Sequence, residues 1–157
     1  MKAPFPLPNI VIKDVRATHA RDVLRHITDA LELAEGVQAP DLMKVLMDAE
    51  MTGGSAIGDG VAVVSARAPA LVVPRRLCAF AQLTRPVAFR GVDQHPCDLV
   101  FVMVSPDTET QSHLRDLSMV IRTLRDRDFV DRLRVAPNSE RTSNLFHARE
   151  MALSRAA

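Results

Sequence analysis

The chain reads as a mixed α/β domain, a central mixed β-sheet flanked by helices on both faces. Three observations predict this. Two helical stripes precede any long strand. The run Leu99-Val100-Phe101-Val102-Met103-Val104 is apolar at every position, as in a strand covered above and below. Further helical stripes follow it. The order helices, strands, helices lacks regular βαβ alternation, which favours a layered sandwich. With 157 residues, the chain is long enough for one substantial core and is read as a single domain over 1–157.

The elements follow in order. Met1 to Pro8 contains three prolines, and residues 1–9 read as a Pro-rich tail. Ile10-Val11-Ile12 is an edge strand or an extended lead-in. Thr18 is placed to cap a helix whose Ala20, Val23, Leu24, Ile27, Ala30, Leu31 and Ala34 recur on one face, with Gly36 as its stop. A second helix starts near Pro40 and presents Leu42, Val45, Leu46 and Ala49 to the core. Gly53, Gly54, Gly58 and Gly60 mark a tight loop leading into a short strand over 61–64. Leu77, Ala79, Ala81 and Leu83 alternate with Cys78, Phe80 and Gln82 as the next strand, and residues 86–89 form an edge segment or hairpin arm. After the central strand, Leu114, Leu117, Val120, Ile121 and Leu124 form a helical stripe. A shorter helix buries Phe129, Val130 and Leu133. Asn138 caps a last one carrying Leu145 and Phe146, with fraying expected over 152–157.

Composition excludes several functions. The net charge is +1, with six Phe and neither Trp nor Tyr. There is no electrostatic footprint for nucleic acid and no set of aromatic stacking platforms. The Arg-rich stretch 122–134 is interrupted by Asp126, Asp128 and Asp131 and reads as a solvated helix face. Cys78 and Cys97 show no metal or redox spacing and read as packed thiols. His19, His26, His95 and His147 have no mutual spacing that suggests a metal site. The prolines of the N-terminus interrupt any signal-like apolar core, so a cytoplasmic protein without membrane insertion is expected, with no cofactor. Gly58-Asp59-Gly60 completes no nucleotide-binding loop, and Ser65 lacks a nucleophile elbow.

One stretch carries the most information: Ala56-Ile57-Gly58-Asp59-Gly60-Val61-Ala62-Val63-Val64-Ser65-Ala66-Arg67. Two others accompany it. Leu83-Thr84-Arg85-Pro86-Val87-Ala88-Phe89 precedes Asp93-Gln94-His95-Pro96-Cys97-Asp98-Leu99, and Val104-Ser105-Pro106 precedes His113-Leu114-Arg115-Asp116-Leu117. In order and spacing these blocks resemble the EIIA proteins of the bacterial phosphotransferase system, of the fructose/mannitol and nitrogen-regulatory type. The resemblance runs from about Ile10 to Phe146. It implies that family's fold and a site where a strand His, preceded by Pro, carries a phosphoryl group received from a phosphocarrier protein. Here Val64-Ser65 stands in the place of that Pro-His pair.

The resemblance also implies roles residue by residue. His113 stands where the family has its second active-site His, Glu50 where it has the Glu of an Arg-Glu pair, Ser55 at the hydroxyl of its T-G-I-G motif, and Arg67 at a basic position two residues past the acceptor. The Arg of the pair is replaced by Ala49. Ser65 and His113 are thus the candidate chemical positions, and Glu50, Ser55 and Arg67 the candidate phosphate- or partner-binding ones. An imidazole nitrogen is a competent nucleophile near neutral pH, whereas a serine hydroxyl needs an adjacent base. A serine phosphoester also lacks the labile P–N bond that makes phosphohistidine a reversible donor. For His113 two readings stand: an alternative acceptor or phosphate contact near a helix N-terminus, or a polar residue bonded locally. The expectation is a degenerate regulatory protein that binds partners such as a sensor kinase, a transporter or a phosphocarrier protein while permanently unphosphorylated. The alternative is a phosphoryl carrier using His113 or a phosphorylated Ser65. A packing or homodimerisation module with another anion in the old pocket is a third reading.

Overall fold

The computed structural model describes residues 5–91 and 96–156. Strand β1 (Ile10–Val15) leads into helices α1 (Ala20–Glu35) and α2 (Ala39–Gly53). Strands β2 (Ala56–Gly58), β3 (Val61–Ala68), β4 (Leu77–Ala88) and β5 (Pro96–Pro106) follow, and then helices α3 (Thr110–Leu124), α4 (Arg127–Val135) and α5 (Ser139–Arg155). The five strands form one mixed sheet in the order β1-β4-β5-β3-β2. The β1–β4 and β3–β5 pairs are parallel, and β4–β5 and β2–β3 antiparallel.

Strand alternation sorts the core into two layers. Along β5, Val100, Val102 and Val104 point to one face and meet Val23, Leu24, Ile27 and Leu31 of α1 and Leu42 and Leu46 of α2. Leu99, Phe101 and Met103 point to the other, against Val120 and Leu124 of α3, Phe129 and Leu133 of α4 and Phe146 of α5. Helices therefore cover both faces, as the sequence predicts, and β5 is central. On the second face Phe146, fully buried, lies within ring-contact distance of Phe5 (6.2 Å), Phe80 (5.1 Å), Phe101 (6.1 Å) and Phe129 (5.5 Å).

Several local expectations change. Helix α1 starts without a side-chain cap: its N-cap is His19 rather than Thr18, and the His19 carbonyl accepts from the Asp22 and Val23 N–H groups. Gly36 does end it, in the left-handed region at φ 74°. Strand β3 runs four residues past Val64, so Ser65 and Arg67 are strand residues. Pro86 lies within β4 instead of a separate arm, in the register shift between Gln82 and Val87, where its missing N–H costs no ladder bond. The Pro-rich lead-in contributes to the core through Phe5, which is 2% exposed. Helix α5 continues to Arg155, past Met151.

The stripe expected on α3 is the largest departure. The buried face of that helix carries His113, Asp116, Val120, Thr123 and Leu124, while Leu114 is 60% exposed. Two polar side chains have displaced leucines from the interior, because the interior offers them partners. No helix among the described residues is long and apolar enough to cross a membrane.

Candidate functional site

The period of two along β3 puts Ser65 and Arg67 on the same face as Val61 and Val63, the face covered by α3. Their register partners on β5 are Met103 and Ser105. Ser105, a buried hydroxyl that follows the apolar run 99–104 of β5, lies 2.8 Å from His113 Nδ1. Arg67 Nη1 donates to Thr110 Oγ1 at 2.6 Å, tying the end of β3 to the first turn of α3. Ser65, Arg67 and His113 thus converge at one end of the sheet. The Ser65 side chain makes no hydrogen bond among the described residues.

His113 is 6% exposed. Burial lowers its pKa below the ordinary histidine value, and the Arg67 cation pushes in the same direction, while Asp116 opposes them. The neutral ring is favoured. When Nδ1 donates to Ser105 Oγ, the lone pair sits on Nε2, the nitrogen left for chemistry. A histidine depressed in the folded state binds fewer protons than it does unfolded, so stability is lost as pH falls from about the model-compound value of 6.5 through the lowered one. His113→Gln is expected to flatten the fall in urea midpoint between neutral and mildly acidic pH. An unchanged slope would show that the ring does not titrate as described.

One turn on, Asp116 is 3% exposed, and its Oδ2 accepts from Arg76 Nη1 at 2.6 Å. Its Oδ1 has no hydrogen-bond partner, with Arg115 Nε 3.9 Å away. Cys78 lies beside this pair. Burial pushes its thiol up to about 12, with the Arg76 cation only partly offsetting that, so no thiolate is available near neutral pH. Among the described residues, no cluster of His, Cys, Asp or Glu is placed to hold a metal ion.

Glu50 and Ser55 belong to a second arrangement at the β2 edge. Glu50, 4% exposed, accepts the Arg90 backbone N–H on Oε1 at 2.6 Å, while Oε2 is buried without a partner. The Arg90 carbonyl accepts from the N–H groups of Ser55 and Ala56 at 2.5 and 2.8 Å, and the Ser55 carbonyl accepts from Val63 N–H at 2.9 Å. The Arg90 guanidinium donates to the Met51 carbonyl at 2.9 Å. Gly91 completes the crossing, since a Cβ there would stand 2.4 Å from Ala56 Cβ. This clamp holds the glycine-rich loop against the β4–β5 connection, of which residues 92–95, including His95 and the Asp93-Gln94 pair, lie outside the described residues. The turn beyond is pinned from α4. Arg134 bonds both Asp98 carboxylate oxygens and the Asp59 carbonyl, and a side chain at Gly60 (φ 76°) would meet its Nη2 at 2.7 Å.

Sequence reasoning missed Ser105, Thr110, Arg76, Asp116 and Arg90. Two of them carried a signal: Ser105 is the polar residue adjoining an apolar run, and Asp116 follows His113 at the three-residue spacing of a shared helix face.

A family model described as "Phosphoenolpyruvate-dependent sugar phosphotransferase system, EIIA 2" matches residues 5–148. The nitrogen regulatory protein of Pseudomonas aeruginosa is 32% identical over 135 residues, covering 85% of this chain and 86% of the relative. That of Bradyrhizobium diazoefficiens is 28% identical over 133 residues, with the same coverage of 85% and 86%. Among solved structures, the nitrogen regulatory protein IIA-Ntr from Neisseria meningitidis superposes with a TM-score of 0.80 at 23% identity, over 90% of this chain and 96% of that one. The mannitol enzyme IIA from Escherichia coli, in its complex with phosphorylated enzyme IIB, gives 0.71 at 16% identity, over 89% and 95%.

Proposed function

Because this chain belongs to the EIIA 2 family of the phosphoenolpyruvate-dependent sugar phosphotransferase system, we propose that it is a nitrogen-regulatory EIIA-type protein that works by binding partner proteins and carries no phosphoryl group at Ser65. The carrying observation is a hydroxyl in a frame built for an imidazole. Ser65 lies on β3, on the face that α3 covers, at the position the resemblance gives to the phosphorylated His.

Among the described residues no base is bonded to Ser65, and the buried His113 is bonded to Ser105 instead. Glu50 is committed by one oxygen to the Arg90 main chain, and Ala49 offers no cation beside it. No doubly charged phosphate forms on the strand to repel or recruit a partner. A sensor kinase, a transporter or the phosphocarrier protein then meets one fixed state of the protein, in the cytoplasm.

The decisive experiment incubates the protein with phosphoenolpyruvate, the first enzyme of the system and the phosphocarrier protein. No acid-labile phosphate is expected, and its appearance on the wild-type chain would sink the proposal. One observation favours a second reading, in which His113 is the acceptor: burial and the Arg67 cation favour the neutral ring, and in the tautomer whose Nδ1 donates to Ser105 Oγ the lone pair is on Nε2. Acid-labile phosphate lost in His113→Ala would establish that alternative. An acid-stable phosphate on protein from native cells, lost in Ser65→Ala, would instead mark Ser65 as a kinase target. Restoring the Pro-His pair with Val64→Pro and Ser65→His is expected to give weak labelling at best, and Ala49→Arg added to it a stronger signal.

A further inference from the structure

Helix α3 turns a face outward that its sequence suits to the interior. Leu114, Leu117 and Ile121 are spaced three and four apart on one side. Leu114 is 60% exposed, and Leu117 and Ile121 are only partly covered. With Ser118, Arg122 and Arg125 they line an open groove of about 480 Å³. Apolar side chains left in contiguous array on a surface mark a place where something docks.

The charges around the groove say what. Within α3 the charged residues are Arg115, Asp116 and Arg122, and Arg125 follows as the C-cap. Asp116 is buried and taken by Arg76, so the solvent-facing charges within α3 and at its C-cap are positive, while the exposed N-cap Glu109 carries the opposite sign at the other end of the helix. Arg122 and Arg125 have no ion-pair partner among the described residues. A ridge of three- and four-residue steps accepts another helix. A second copy of this chain is disfavoured, because a two-fold contact through α3 would bring the arginines against one another.

We propose that the outer face of α3 is the docking surface for an amphipathic helix of a partner protein, with its apolar stripe on Leu114, Leu117 and Ile121 and acidic side chains on Arg115, Arg122 and Arg125. This rests on the reading of the protein as a partner-binding regulator and names the class of partner. It also ties the surface to the site. Leu114 directly follows His113 on α3, so a docked helix lies one residue along the chain from the histidine of the site. Negative charge there repels acidic side chains, and a serine at position 65 leaves such docking permanently permitted.

The test is an NMR titration of the isotopically labelled full chain with two synthetic helical peptides. Both carry the same leucine stripe, one flanked by Glu and the other by Lys. The Glu peptide is expected to shift the amides of 114–125 and to bind about tenfold more tightly than the Lys peptide, the sum of a few exposed ion pairs. Arg115→Glu, Arg122→Glu and Arg125→Glu together should reverse that preference. Leu114→Asn should abolish binding while thermal melting stays unchanged, and Ser65→Asp should weaken the Glu peptide alone. Equal binding of both peptides, shifts confined to another face, or no binding overturns the surface. So does a dimer whose α3 amides move on dilution. The phosphorylation assay decides the functional reading separately: acid-labile phosphate together with Glu-peptide binding would overturn that reading and keep the surface. No phosphate and no binding would do the opposite.

Discussion

Phe146→Ala is expected to lower stability by about 4 kcal/mol, the range for emptying a fully buried aromatic site. The ring has 0% exposure and touches four other phenylalanines drawn from the N-terminal lead-in, β4, β5 and α4. Its removal would leave a cavity bordered by the sheet on one side and by helix on the other, in a layer that also holds Met103 and Leu99. For a domain of this size that is a drop of roughly 12 °C in Tm. Phe146→Leu should retain well over half of the loss-sensitive packing. Equilibrium urea unfolding of the three proteins checks this, and a loss of under about 1 kcal/mol in the alanine variant would mean that the rings are not a shared core.

Arg76→Ala carries the second large effect. It strips the Asp116 carboxylate, 4% exposed, of its cation while Oδ1 already lacks a hydrogen-bond partner. An unpaired buried charge costs several kcal/mol. Since Arg76 itself is 31% exposed, about 3 kcal/mol is expected, the lower end for a broken buried pair. Asp116→Asn in the same chain should recover a large part, because the uncompensated charge is gone. The four-protein cycle, measured by urea unfolding, isolates the coupling. If Asp116→Asn gives no recovery in the Arg76→Ala background, the penalty is lost packing of the arginine stem and not charge.

The sheet was legible from sequence where one residue type decided it. A run apolar at every position can be buried only on both faces, and that made β5 central before any coordinates. The covering helices followed from the stripes of α1, α2 and α4. What failed is equally physical. On α3 the leucine stripe outweighed His113 and Asp116 in any hydrophobic reckoning, yet these polar residues are buried because Ser105 and Arg76 meet them from the sheet. Those partners lie 8 and 40 residues away, and periodicity has no access to pairs of that kind. Of the candidate site the motif supplies positions only: Ser65 and Arg67 share the β3 face that α3 covers, and Arg67 is tied to Thr110 in the first turn of the helix that carries His113. The motif groups Glu50 and Ser55 with them, whereas in the structure their hydrogen bonds run to the Arg90 main chain.

The main-chain character of that clamp has a consequence for how such a protein can diverge. Glu50 binds the Arg90 N–H group, and the Ser55 and Ala56 N–H groups bind its carbonyl, so these three bonds are made to the peptide units of position 90, with the Arg90 guanidinium adding one bond to the Met51 carbonyl. The loop therefore keeps its shape while residues 49 and 65 change their chemistry. Architecture and reactivity are written at separate positions of the chain, 50, 90 and 91 for one and 65 for the other. A lineage can abandon the second without forfeiting the first.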